Sequence, residues 1–229
     1  MQALFSRIQW EANLLNRNNL LTISLVVTGL YVALLQLLKG LGYTELLSIL
    51  LVLNDPAVIG TLFGGITIIF ERDQHTLDAM RVTPMNPHYY LLGKAIVLTL
   101  LGTVCGWVMA VAALGLGIDH LHFSLSLFLI TFFFTNLGVA IALRTKRFIN
   151  FALKVALVLV LMILPIFHWF GIFSIPLVEA FPMEHGIRLL AYSMHYEVDS
   201  LPWYGYLILA ALAVASYFWA YRRFITTKE

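Results

Sequence analysis

Asp119, His120 and His122 are the residues whose types and spacing come nearest to a metal site. Two imidazoles two residues apart do not share a helical face, and no cysteine or further carboxylate follows closely in sequence. An interfacial loop explains the trio better, and no metal or cofactor is expected on this chain. Nucleotide chemistry has no starting point either. The Gly93-Lys94 pair is followed by Ala95, and His88 stands where the leading glycine of a phosphate loop would be. Any ATP and Mg used in the activity would therefore sit on another chain. Neither a Gly-x-Ser-x-Gly elbow nor a His-Glu-x-x-His pair is present, so hydrolase and zinc-protease readings lack a nucleophile or a ligand set.

Ionisable residues inside apolar runs are the next candidates. Lys94 and Lys154 lie within about two turns of the ends of their runs, where a long side chain snorkels to the surface. Asp55 interrupts a long apolar stretch in Asn54-Asp55-Pro56, and a helix cap with Pro56 in the first turn accounts for it. Asn136 suits an interhelical hydrogen bond, and His168 the polar end of a span. Cys105 falls in an apolar run and, being the sole cysteine, allows no intrachain disulfide.

The longest polar interruption runs from Glu71 to Lys94. Gln74 to Val82 reads as a short helix with Leu77 and Met80 on one side and Asp78 and Arg81 away from them. Pro84 and Pro87 close it before the next apolar run. A short amphipathic helix cannot bury its apolar side within itself, so it lies on the membrane, folds back on its own bundle, or docks into another protein. The last of these is preferred.

These elements sit in a chain of 229 residues that is 61% hydrophobic and 11% charged, with a mean hydropathy of +0.88. Soluble domains are nearer half apolar and a quarter charged, so the expected class is an all-α membrane protein with a single transmembrane domain over 1–229. At about 20 residues per span the length admits about six spans. They are read at 20–38, 45–70, 89–114, 123–143, 148–170 and 203–220. Residues 1–18 form an amphipathic interfacial helix with Arg7 and Glu11 opposite Leu4, Ile8 and Leu15; no cleavable signal is evident. Stretch 45–70 is either one helix kinked at Pro56 or a span preceded by a horizontal piece. Glycine pairs Gly60/Gly64 and Gly102/Gly106 permit close helix approach. Segment 172–202 is extracytoplasmic, with Ile187, Leu190, Ala191 and Met194 at helical spacing. With six spans, twelve basic residues fall on the side of the termini and only Lys39 and Arg188 on the other. That bias places both termini and the Glu71–Lys94 stretch in the cytoplasm.

The runs Phe70-Glu71-Arg72-Asp73-Gln74-His75-Thr76-Leu77, Val82-Thr83-Pro84 and Tyr90-Leu91-Leu92-Gly93-Lys94 resemble the membrane subunit of a type-2 ATP-binding-cassette exporter. Asn54-Asp55-Pro56 through Gly64-Gly65 resembles the small bacterial fluoroquinolone or drug export permeases. The resemblance implies a half-transporter in the bacterial inner membrane, pairing with a second permease subunit and with cytoplasmic ATPase subunits. Region 71–87 would be the coupling helix, with Leu77 and Met80 as apolar anchors and Glu71, Arg72 and Asp73 as charge contacts. Thr76 and Pro84 complete that set. The second and fifth spans would face each other, with Phe63, Ile66, Phe70, Leu157, Leu161 and Leu164 lining the path. The cargo implied is hydrophobic or amphiphilic, drug-like or lipid-like, and nucleic acid is not an expected partner. A haem-exporter-type permease is the alternative within the family; outside it stands a non-transporting scaffold that recruits a soluble partner.

Overall fold

The computed structural model describes residues 2–39, 44–77, 86–169, 181–196, 198 and 200–226. Every regular element among them is helical: α1 Gln2–Arg17, α2 Leu20–Leu38, α3 Thr44–Val58, α4 Gly64–Asp73, α5 Pro87–Leu114, α6 His120–Leu143, α7 Phe148–Trp169, α8 Pro182–Ser193 and α9 Trp203–Thr226. Among the described residues six stretches are long and apolar enough to cross a bilayer, the second being Leu46–Asp73. Helices satisfy their own backbone polar groups, which is why this architecture suits so apolar a sequence.

The second span is one continuous element. Pro56 lies inside α3, and a π turn over Ile59–Phe63 joins α3 to α4. Asp55 is therefore not a helix cap: it is a mid-helix residue with 1% exposure. A π turn carries one extra residue, so its carbonyls point off the usual ladder. Thr61 O points at Gly138 of α6. Glycine is required there, because any Cβ on Gly138 would run into that carbonyl. A Cβ on Gly64 would similarly meet Thr135 O at 2.7 Å, and one on Gly60 would meet Thr135 N at 3.0 Å. Small residues let the second and fourth spans pack backbone to backbone, the usual source of cohesion where lipid is as apolar as leucine. Gly102 and Gly106 of α5 instead make room for the Thr131 and Leu127 side chains of α6.

Two-thirds or more of the α6 span is buried, whereas α2 and α7 are largely exposed. The fourth span is thus the central post and α7 lies at the rim, held by Phe151, Val155 and Pro165. Asn136 donates to Phe132 O of its own helix at 2.8 Å rather than to a neighbour. Lys154 stays on the exposed face of α7 and reaches the Thr145 hydroxyl at 3.2 Å. At the end of the bundle away from both termini, α8 packs Ile187, Leu190 and Ala191 inward, and Gly186 lies against Leu53 and Ile130. Asp119 caps α6 and accepts from the His122 ring at 2.7 Å. That hydrogen bond holds its carboxyl below the usual carboxylate range. His120 turns to Trp107 instead, with ring centroids 5.2 Å apart.

Candidate functional site: a buried charge cluster at the termini face

The end of α4, the start of α5 and the middle of α1 meet at the face of the bundle that carries both termini. Two of them bring residues one helical turn apart. Arg7 and Glu11 are an i,i+4 pair on α1, Tyr90 and Lys94 an i,i+4 pair on α5, and Glu71 lies in the last turn of α4. Lys94 Nζ donates to Glu11 Oε2 at 3.0 Å and to Glu71 Oε1 at 3.1 Å. Arg7 Nη2 lies 2.5 Å from Glu11 Oε1 and 3.8 Å from Glu71 Oε1. The Tyr90 hydroxyl donates to Glu71 Oε2. The Arg7 guanidinium stacks over Trp10 at 4.1 Å and faces the Tyr90 ring at 4.7 Å. Gly93 makes room for it, since a Cβ there would meet Arg7 Cγ at 2.8 Å.

The cluster holds two carboxylates and two cations, so it is neutral as a whole. Its side chains are 1–2% exposed, Arg7 alone reaching 11%. Charges this deep survive only when each is paired, because desolvation costs several kcal/mol per ion. Such a knot has no nucleophile and no open ligand position. What it can do is mechanical: three helices from separate parts of the chain cannot separate without exposing an unpaired charge.

Neighbouring contacts extend this joint. Arg72 donates to the carbonyls of Thr145, Ala142 and Leu143 at 2.6, 3.2 and 3.3 Å. These carbonyls lie at and just beyond the C-terminal end of α6, where a cation is favoured by the helix dipole. His88 stacks on Tyr221 of α9 at 3.9 Å and hydrogen-bonds the Tyr217 hydroxyl at 2.8 Å. Tyr90 packs on Phe224 at 5.0 Å.

Several expectations change here. Lys94 does not snorkel; it is 1% exposed and forms the hub. Glu71 is buried in the same knot rather than offered to a partner. Arg72 is committed to α6. Gln74 and His75 form a turn, not helix, with His75 at φ 55°. The turn folds Leu77 back into the chain's own core beside Ile68, Tyr90 and Leu91, at 1% exposure, so it is not an outward anchor. Asp73 is exposed and Thr76 half-buried. Met80 and Pro84, with Asp78 and Arg81, lie outside the described residues, as does the 170–180 part of the outer segment.

Of the expected lining residues, Phe63 is 8% exposed and packs inward with Leu15, Leu20 and Leu98. That corrects its placement on a path between spans. Ile66 is half-buried. Phe70 is 36% exposed, and Leu157, Leu161 and Leu164 are 63%, 45% and 36% exposed on the outward face of α7. Glu11 and Tyr90 were not singled out as site residues from the sequence. The signal available was the pair of i,i+4 polar couples flanking one unmatched carboxylate.

Comparison with known proteins agrees with this architecture. Residues 17–195 match the ABC-2 type transporter family. The chain is 27% identical over 165 residues to the fluoroquinolones export permease proteins of two Mycobacterium tuberculosis strains, CDC 1551 / Oshkosh and H37Rv. The alignments cover 71% of this chain and 69% of each relative. With six spanning-length helices and a family match over most of its length, the chain belongs to the ABC-2 type transporter family and is an integral membrane permease subunit.

Proposed function

We propose that this chain is the membrane half of an exporter that moves a hydrophobic or amphiphilic compound out of the cytoplasm, driven by a separate ATPase subunit that binds ATP and Mg. The observation that carries this reading is the neutral Arg7–Glu11–Glu71–Lys94 cluster. It ties both flanks of segment 78–85 to α1, so a push on that segment moves α1, α4 and α5 as one body. The relatives' drug-export names support the cargo class. So do the spans, whose exposed surface is rich in Leu, Val and Phe. The ATPase would grip the face that carries the termini, where Asp73 and Gln74 are exposed. The basic bias supports a cytoplasmic location for that face, and the membrane would be a bacterial inner membrane. A second permease subunit would cover the outward face of α7, with Phe70, Leu157, Leu161 and Leu164 toward the path.

The test is reconstitution of the chain with its co-purified ATPase in sealed vesicles, followed with a fluorescent fluoroquinolone and with a fluorescent phospholipid. Movement of either probe that requires both ATP and the ATPase supports the reading. Stable pairing with no movement of either would favour a recruiting scaffold.

A further inference from the structure

Asp55 lies about three turns inside α3, in the second spanning stretch Leu46–Asp73. Its side chain is 1% exposed, and its Oδ2 meets no hydrogen-bond donor. Among the described residues no lysine, arginine or histidine forms an ion pair with it. Helix α2 passes α3 at this level, its Tyr31 hydroxyl accepting from Asn54, the neighbour of Asp55 in sequence, at 3.4 Å. Helix α2 is mostly exposed, yet the four residues it buries are Leu20, Ser24, Thr28 and Leu35. Two hydroxyls therefore face inward on a helix rich in leucine. The Ser24 hydroxyl donates to Leu21 O at 2.8 Å and lies, like Thr28, beside the Cys105 thiol of α5. The Thr28 hydroxyl has no stronger partner than the Cys105 thiol of α5, which lies within electrostatic range of Asp55.

A bare carboxylate in such surroundings costs many kcal/mol, so its charge must be cancelled. Among the described residues no side chain does this. We propose that Asp55 is the anionic ligand of a small monovalent cation, a proton or Na⁺, held between α2, α3 and α5 with the Ser24 and Thr28 hydroxyls as neutral oxygen partners. The site is separate from the charge cluster and does not depend on the cargo. Other titratable groups also lie on the elements packed against α3. Cys105 is on α5; on α2, the Tyr31 phenol accepts from Asn54 at 3.4 Å. On α8, Glu184 is paired with Arg188 at 2.9 Å, with His185 beside it in sequence. Helix α6 has no titratable residue from 123 to 143.

The full chain in zwitterionic phospholipid nanodiscs is treated with a hydrophobic carbodiimide, which reacts with protonated carboxyl groups in apolar surroundings, and adducts are mapped by mass spectrometry. An Asp55 adduct whose yield falls severalfold as pH rises, and which ignores NaCl, identifies a proton. A yield cut severalfold by NaCl but not by choline chloride identifies Na⁺. No adduct, or a yield indifferent to both, overturns the proposal. Thermal unfolding provides the second reading. The wild-type midpoint should fall with rising pH or rise with Na⁺, and Asp55→Asn, which carries no charge to cancel, should lose that response. A variant that retains it would overturn the proposal equally.

Discussion

Removing Lys94 isolates the physics of the charge cluster. Lys94 Nζ stands 3.0 and 3.1 Å from two carboxylates. At an effective dielectric of about 20, each contact is an attraction of about 5 kcal/mol before desolvation is subtracted. Lys94→Met keeps most of the side-chain length but leaves Glu11 and Glu71 sharing Arg7, one negative charge in excess in a site with almost no solvent. Breaking a buried ion pair from one side costs about 3–5 kcal/mol, and that loss is expected in the unfolding free energy of the purified chain. Glu71→Gln alone leaves the opposite excess, one positive charge, although the glutamine carbonyl still accepts from Tyr90. The double variant restores neutrality around the remaining Arg7–Glu11 pair. Its cost should therefore fall short of the summed single costs by about 1–3 kcal/mol. Unfolding in mixed micelles with increasing denaturing detergent, run as a double-mutant cycle, reads this directly. Additive costs, with no coupling above about 0.5 kcal/mol, would refute the claim that the charges act as one neutral unit.

Other expectations follow from single contacts. Arg72→Ala strips three acceptors at the end of α6 and should cost about 2–3 kcal/mol by the same unfolding assay, as charged hydrogen bonds do. Gly138→Ala drives a methyl into Thr61 O and should destabilise by about 3 kcal/mol or prevent folding, whereas Gly29→Ala, with open space around it, should be silent. Leu77→Asp should unfold the chain itself, seen as aggregation in detergent chromatography before any ATPase is added, because Leu77 is core rather than docking surface. Asp119→Asn should remove a stability loss on the acid side. The carboxyl of Asp119 is lowered in the folded state by His122, so its contribution is present above the ordinary carboxylate range and lost as pH falls through the folded value.

The spans were legible because bilayer thickness fixes the length of an apolar helix, and the common face of the termini followed from an even span count. The interior of the termini face was not. A lysine two turns inside a span looks the same in sequence whether it snorkels or bridges two carboxylates, and only the arrival of α1 decides for Lys94. Leu77 shows the same ambiguity: an apolar side at helical spacing does not say whose core it enters. Pro56 suggests a kink, while the irregularity lies later, at Ile59–Phe63, where Gly138 makes room for the Thr61 carbonyl. Proline marks a missing donor; a π turn leaves no such mark in the residue types.

The central claim is that the buried neutral cluster transmits work from an ATP-consuming partner to the spans. Its most direct measurement is cargo moved per ATP hydrolysed by the Glu71→Gln/Lys94→Met variant, in vesicles matched to wild type for folded permease and bound ATPase. With Lys94 no longer bridging α1 and α4, hydrolysis should continue while cargo per ATP drops by about tenfold, the equivalent of roughly 1.4 kcal/mol of lost coupling. A folded, ATPase-bound double variant that exports at the wild-type ratio would contradict it.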